Sequence, residues 1–235
     1  NKMAFSKYLN HQGIDIARGL IVDTSHINKF GFTGANTVGT ATVWDGNGTT
    51  AVYPYPVAGI VSVSSSSGTD DGETIEVQGL DDQFNAVTET LTVGSGTSTA
   101  SFSRVFRARM ITAVNVGTIS VDQGVNLAAQ ILPNNGQTLM AVYTIPAGYT
   151  GYIAQFQGSV DKANVDVKFK LLCREPNDNG VFRLIGQWGT QGGNPVGYEY
   201  PVPLRAPEKS DLRVDVTTGA ACGCGAIFDV ILIKN

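Results

Sequence analysis

From residue 41 onward, short runs rich in Val, Ile, Thr and aromatic residues alternate with clusters of Gly, Asn, Asp and Ser. Their spacing, about 8–15 residues, is that of a β-sandwich or barrel, and no long helical period interrupts it. Val87, Leu91 and Val93 alternate with Thr88, Thr90 and Thr92; Val165, Val167, Phe169 and Leu171 alternate with Asp166, Lys168 and Lys170. Such strands bury one face and wet the other. Residues 227–233 are apolar on both parities except Asp229, which reads as a central strand. Gly46-Asn47-Gly48, Leu80-Asp81-Asp82-Gln83 and the tract 175–180 supply turn chemistry, and Pro201, Pro203 and Pro207 confine their segment to an edge or a loop.

Residues 1–40 read differently. Phe5, Tyr8, Leu9, Ile14, Leu20, Ile27 and Phe30 sit in a stretch broken by Gly13, Gly19, Gly31 and Gly34, without a clear period. At most 5–10 is a short helix, and the rest reads as an extended arm with strand pieces. An apolar arm has to lie on something, either its own body or a neighbour. The expected fold is all-β: this arm over 1–40, an antiparallel β-sandwich over 41–125, a mixed connector over 122–138, and a second, jelly-roll-like sandwich over 138–235.

Composition narrows the function classes. The 235 residues are 15% charged and 42% hydrophobic, with 28 Gly and 9 Pro, and the mean hydropathy is +0.02. That is a folded chain with many tight turns, and no run approaches the length of a membrane helix. A net charge of −4 and the absence of a basic run argue against nucleic acid as a partner. The start lacks the order of a secretory signal, and Cys173, Cys222 and Cys224 cannot all pair with one another, so a reducing cytoplasm is the expected place of folding. Met3-Ala4 reads as an ordinary translation start, with a processed end as the alternative.

Catalytic constellations are missing. The two histidines, His11 and His26, both fall in the arm, and neither a nucleophile elbow nor a phosphate loop is present. Cys222-Gly223-Cys224 with Cys173 is one ligand short of a structural zinc site. The acidic turns at 70–73 and 81–82 do not follow a calcium loop. The expectation is therefore no enzyme, no metal and no cofactor. Trp44, Trp188 and the tyrosines at 53, 55, 198 and 200 read either as a sugar-stacking platform or as core and interface anchors. Arg104, Arg107 and Arg109 lie in one strand; Arg107 and Arg109 share a face with Val105, and Arg104 points the other way. Such arginines call for carboxylates, and Glu208 and Asp211 are the candidates, within the chain or across an interface.

The segments 16–20, 28–31, 42–46 (Thr-Val-Trp-Asp-Gly), 103–108 (Ser-Arg-Val-Phe-Arg-Ala), 143–148 (Tyr-Thr-Ile-Pro-Ala-Gly) and 203–211 (Pro-Leu-Arg-Ala-Pro-Glu-Lys-Ser-Asp) together resemble a family of virion structural proteins of tailed bacteriophages, particularly marine ones. The resemblance spans nearly the whole chain and carries no functional residue across. It implies a particle component: a capsid decoration or cement protein, or a neck, tail or fibre accessory. It also implies homo-oligomers contacting other virion proteins after assembly in the host cytoplasm. A carbohydrate-binding module contacting the host surface is the rival from another class.

Overall fold

The structure is a computed structural model that describes residues 12–34, 39–191 and 193–235. Among the described residues a six-residue helix, α1 (Gln12–Ala17), precedes fifteen strands. These are β1 (Thr24–Thr33), β2 (Gly39–Thr42), β3 (Ser62–Ser65), β4 (Thr74–Leu80), β5 (Ala86–Thr92), β6 (Arg104–Met110), β7 (Ile119–Gln123), β8 (Asn126–Ile131), β9 (Val142–Thr144), β10 (Tyr149–Val160), β11 (Asp166–Arg174), β12 (Arg183–Gln191), β13 (Val196–Ala206), β14 (Asp211–Thr218) and β15 (Cys224–Lys234).

Two sheets form the larger body. One has the order β1-β15-β10-β13 and the other β12-β11-β14-β2, with β9 also paired to β14. Apart from the β11–β12 hairpin and the pair β2 and β9, which an insertion separates in sequence and which both pair with β14, consecutive strands of this body lie in opposite sheets, and every pairing is antiparallel. That is jelly-roll connectivity. As its two-sided apolar pattern requires, β15 is central, between β1 and β10. Val167, Phe169 and Leu171 point inward from β11 to meet Phe156 and Phe228 in the core.

The smaller body is an insertion in the jelly roll. Residues 44–140 leave after β2 and return before β9, forming two three-stranded sheets, β3-β7-β8 and β5-β4-β6, around their own core of Ile75, Val77, Phe102, Val121 and Ile131. At the neck the two-residue side-chain period divides the cores. Val43, Ala141 and Tyr143 point into the jelly roll, whereas Trp44, Met140 and Val142 point into the insertion. Trp44 and Met140 face each other across an antiparallel bridge.

Three expectations are thereby corrected. The stretch 1–40 is not a separate arm throughout, because β1 pairs with β15 along all ten of its residues and is a strand of the jelly roll. The connector expected over 122–138 contains β8, paired to β7, because the Asp122–Asn126 region is a hairpin turn rather than a linker. Finally, Arg104 does not point away from Arg107 and Arg109. A β-bulge skips Phe106, so that Gly79 faces Val105 and Gln78 faces Arg107. The bulge shifts the parity of the strand, leaving Val105 and Ala108 buried and all three arginines on the opposite side.

Candidate functional site

The two bodies meet at a charged and aromatic junction. Arg104, on β6 of the insertion, donates from Nε to Asp211 Oδ1 at 2.7 Å and from Nη2 to Oδ2 at 3.1 Å. Asp211, at the start of β14, also accepts from Arg174 Nε at 2.9 Å and from the Thr144 hydroxyl at 2.6 Å. Burial opposes ionisation of Asp211, but the two guanidiniums and the hydroxyl outweigh it and hold the carboxyl below its usual range. Beside it Arg213 pairs with Asp215 at 3.0 Å. Asp215 in turn accepts from the Thr42 hydroxyl, whose oxygen takes the Tyr53 N–H.

Aromatic rings cover these cations. Tyr55 lies 5.4 Å from Arg104 and 4.6 Å from Arg174, and Phe182 lies 4.6 Å from Arg174 and 4.2 Å from Arg213. Phe84 also covers Arg104, at 5.3 Å. Tyr55 and Phe84 have φ of 48° and 67°, a backbone region that bulky residues rarely adopt. Both strained residues bring their rings to Arg104, and Tyr55 lies nearer still to Arg174, so the strain falls where the surroundings hold the junction most tightly. The Tyr55 hydroxyl is buried without a partner among the described residues, and burial raises it far above its usual range, with the Asp211 charge adding to the effect. The arrangement joins and rigidifies two bodies.

A second polar group sits at the neck. Lys29, on the inward parity of β1, is 7% exposed and donates to the Phe106 carbonyl. Desolvation, reinforced by Arg107, lowers it to about 7. Asp45, also buried, accepts the Leu139 N–H at 2.9 Å, and burial raises it to about 8. A cleft of about 160 Å³ runs along His26, Ile27, Asn28, Lys29 and Phe30 and is closed by Gln78, Phe106, Arg107, Thr138 and Tyr143. A neighbouring apolar cleft of about 490 Å³ shares Ile27, Gln78, Phe106 and Tyr143 with it and opens between β1 and β5.

The remaining expected site residues scatter. Phe5, Tyr8 and Leu9, with His11, lie outside the described residues. Ile14 and Leu20 are 51% and 58% exposed. Ile27 packs partly buried on the jelly-roll core, and Phe30 lines a groove on the outer face of the β1 sheet. Trp44 is fully buried, with its indole N–H on the Thr50 carbonyl, so of its two readings only the core anchor stands. Trp188 stacks flat on Phe156, centroids 4.1 Å apart, and closes the sandwich between the edge strands β12 and β13 beside Tyr198 and Tyr200. Arg107 donates to Gln137, Arg109 pairs with Glu76 at 2.8 Å, and Glu208 accepts the Gly148 N–H. The three cysteines are free and buried, and no group of three or more metal-ligating residues occurs among the described residues. Among these residues no helix is long and apolar enough to cross a membrane.

Sequence reasoning missed Arg174, Arg213 and Phe182 at the junction, and Lys29 and Asp45 at the neck; Tyr55, singled out as a platform or anchor residue, is an anchor over the arginines. Lys29 had a readable signal, its place between Ile27 and Gly31 at strand spacing. Asp45 reads as an ordinary turn residue, and only the neck buries it.

No protein-family model matches the chain, and comparison with curated proteins finds no match. Among solved structures the chain is similar to TmCBM61 in complex with β-1,4-galactotriose, with 13% identity, TM-score 0.24, and coverage of 74% of this chain and 88% of that one. It is also similar to a structure of infectious bursal disease virus Gt strain, with 11% identity, TM-score 0.27, and coverage of 89% and 71%. A third is the infectious bursal disease virus VP2 subviral particle, with 10% identity, TM-score 0.20, and coverage of 90% and 75%. Likenesses this low carry no argument, so the jelly-roll assignment rests on the strand order of this chain alone.

Proposed function

We propose that this protein is a non-enzymatic structural subunit of a tailed-phage virion, assembling with copies of itself and with neighbouring particle proteins. The observation that carries the reading is the segment ahead of β1. Ile14, Leu20 and Val22 are 51%, 58% and 81% exposed, and an isolated six-residue helix such as α1 has little stability of its own. Such a segment calls for a partner surface. The sequence resemblance supports the virion, and the rigid ion-paired junction suits a subunit that must present two bodies in fixed register. Within a particle the role it fits is capsid decoration or cement, with a neck, tail or fibre accessory as the alternative. The sugar-platform reading has lost Trp44 to the core and one face of Trp188 to Phe156.

Immunogold labelling of purified particles with antibody to this chain tests the reading. Label over heads supports decoration, and label at neck or tail supports the accessory role. Particles that lack the chain by both labelling and mass spectrometry overturn it.

A further inference from the structure

The outward edge of β1 is an open strand template. Lys234 N–H donates to the Asp23 carbonyl at 2.9 Å, and the register continues from Thr24 facing Ile233. Antiparallel pairs alternate between bonded and non-bonded, so the odd-numbered residues of β1 turn their main-chain groups toward β15 and the even-numbered ones turn theirs away. Phe32 follows this rule, its N–H reaching the Leu139 carbonyl outside the sheet. Thr24, His26, Asn28 and Phe30 direct N–H and C=O groups outward with no partner among the described residues. The cleft along residues 26–30 lies on this edge, and its apolar continuation is walled opposite by Ala86, Val87 and Thr88 of β5, itself an edge strand.

Such an edge invites another strand unless something covers it. The same chain carries a suitable donor. Residues 13–22 place Ile14 and Ile16, and again Leu20 and Val22, at the two-residue spacing that an extended segment would put on one side once the six-residue α1 unwinds, and Ile14, Leu20 and Val22 are uncovered by their own body. The chain's own α1 touches β1 but forms no ladder with it and lines neither cleft: Asp23 is already bonded to Lys234, and Leu20 N–H and Gly19 N–H close local turns on Asp15 and Ile16. We infer that residues 13–22 of a second copy add a strand to the outward edge of β1, placing their apolar side chains in the cleft between the jelly roll and the insertion. This deepens the assembly reading above and rests on it. Main-chain bonds would supply affinity, and the apolar walls at Ile27, Val87, Phe106 and Tyr143 would set the register.

The test uses two full-length variants, Val22→Cys and Thr88→Cys, mixed and treated with a bis-maleimide; the native cysteines are buried. The expected result is a cross-linked dimer from the mixture, reduced at least tenfold by His26→Pro in the Thr88→Cys chain. Proline there removes an outward N–H and no ladder bond. Val87→Asp, on the opposite wall, should reduce it equally in a chain whose circular dichroism is unchanged. Self-association without this cross-link overturns the inference and leaves the assembly reading standing. Cross-linking only within a chain carrying both cysteines, or only to another virion protein, also overturns it. Absence of any self-association, by light scattering and on particles, removes the assembly reading and the inference together.

Discussion

Arg104 and Asp211 are 107 residues apart in sequence and share a two-point contact, at 2.7 and 3.1 Å, across the boundary between the inserted body and the jelly roll. Asp211 is 2% exposed and faces Arg174 as well. Replacing it with Ala leaves two guanidiniums without their carboxylate. Breaking a buried pair from one side costs about 3–5 kcal/mol, and urea unfolding of Asp211→Ala should show a loss of that order. Arg109→Ala, which breaks the solvent-exposed pair with Glu76, should barely move the midpoint.

The neck pair makes a pH prediction with two opposite limbs. Asp45 is raised from 3.8 to about 8, so the folded state holds the extra proton between these values and stability falls as pH rises through that window. Lys29 is lowered from 10.5 to about 7, so the unfolded state holds the extra proton there and stability rises with pH from about 7 upward. Thermal midpoints should therefore pass through a shallow minimum near pH 7–8. Asp45→Asn should flatten the lower limb, and Lys29→Met the upper one. A profile unchanged in both variants would refute the burial of this pair.

Close backbone approach makes β1 intolerant at one glycine. A Cβ on Gly31 would stand 2.3 Å from the Val43 carbonyl oxygen and 2.4 Å from the Ala141 nitrogen, both main-chain atoms at the neck. No side-chain rotation relieves such a clash, and overpacking of this kind costs about 1–3 kcal/mol or more. Gly31→Ala should lower the urea midpoint, whereas Gly13→Ala, with open space around it, should not.

Tryptophan emission separates this account from a sugar-binding one. With Trp44 in the core and Trp188 stacked on Phe156, a broad panel of polysaccharides should leave the fluorescence unchanged. Saturable quenching by any of them would restore the platform reading.

How far the sequence could be read follows from what kind of information each feature needs. The strand pattern is local, so the all-β class, the alternation of β11 and the central place of β15 were legible. The insertion was not, because Val43 and Ala141 join the jelly-roll core across nearly a hundred intervening residues, and no spacing announces that. Arg104 and Asp211 were legible as residues needing partners, since apolar company makes a bare charge costly. The orientation of Arg104 was not, because one bulge at Phe106 inverts a period-two reading. Tyr55 and Phe182 reach the arginines only through tertiary folding, and a loop sequence gives no periodicity from which to place a ring.

The central claim is that the segment before β1 serves assembly while β1 itself serves the fold. It is tested most directly by removing residues 1–22, which stops short of the strand that begins at Thr24. Sedimentation with purified particles and light scattering of the variant should show attachment and self-association lost, with β circular dichroism and the unfolding midpoint retained. A shortened chain that binds particles and its own copies as well as the full chain would contradict the account.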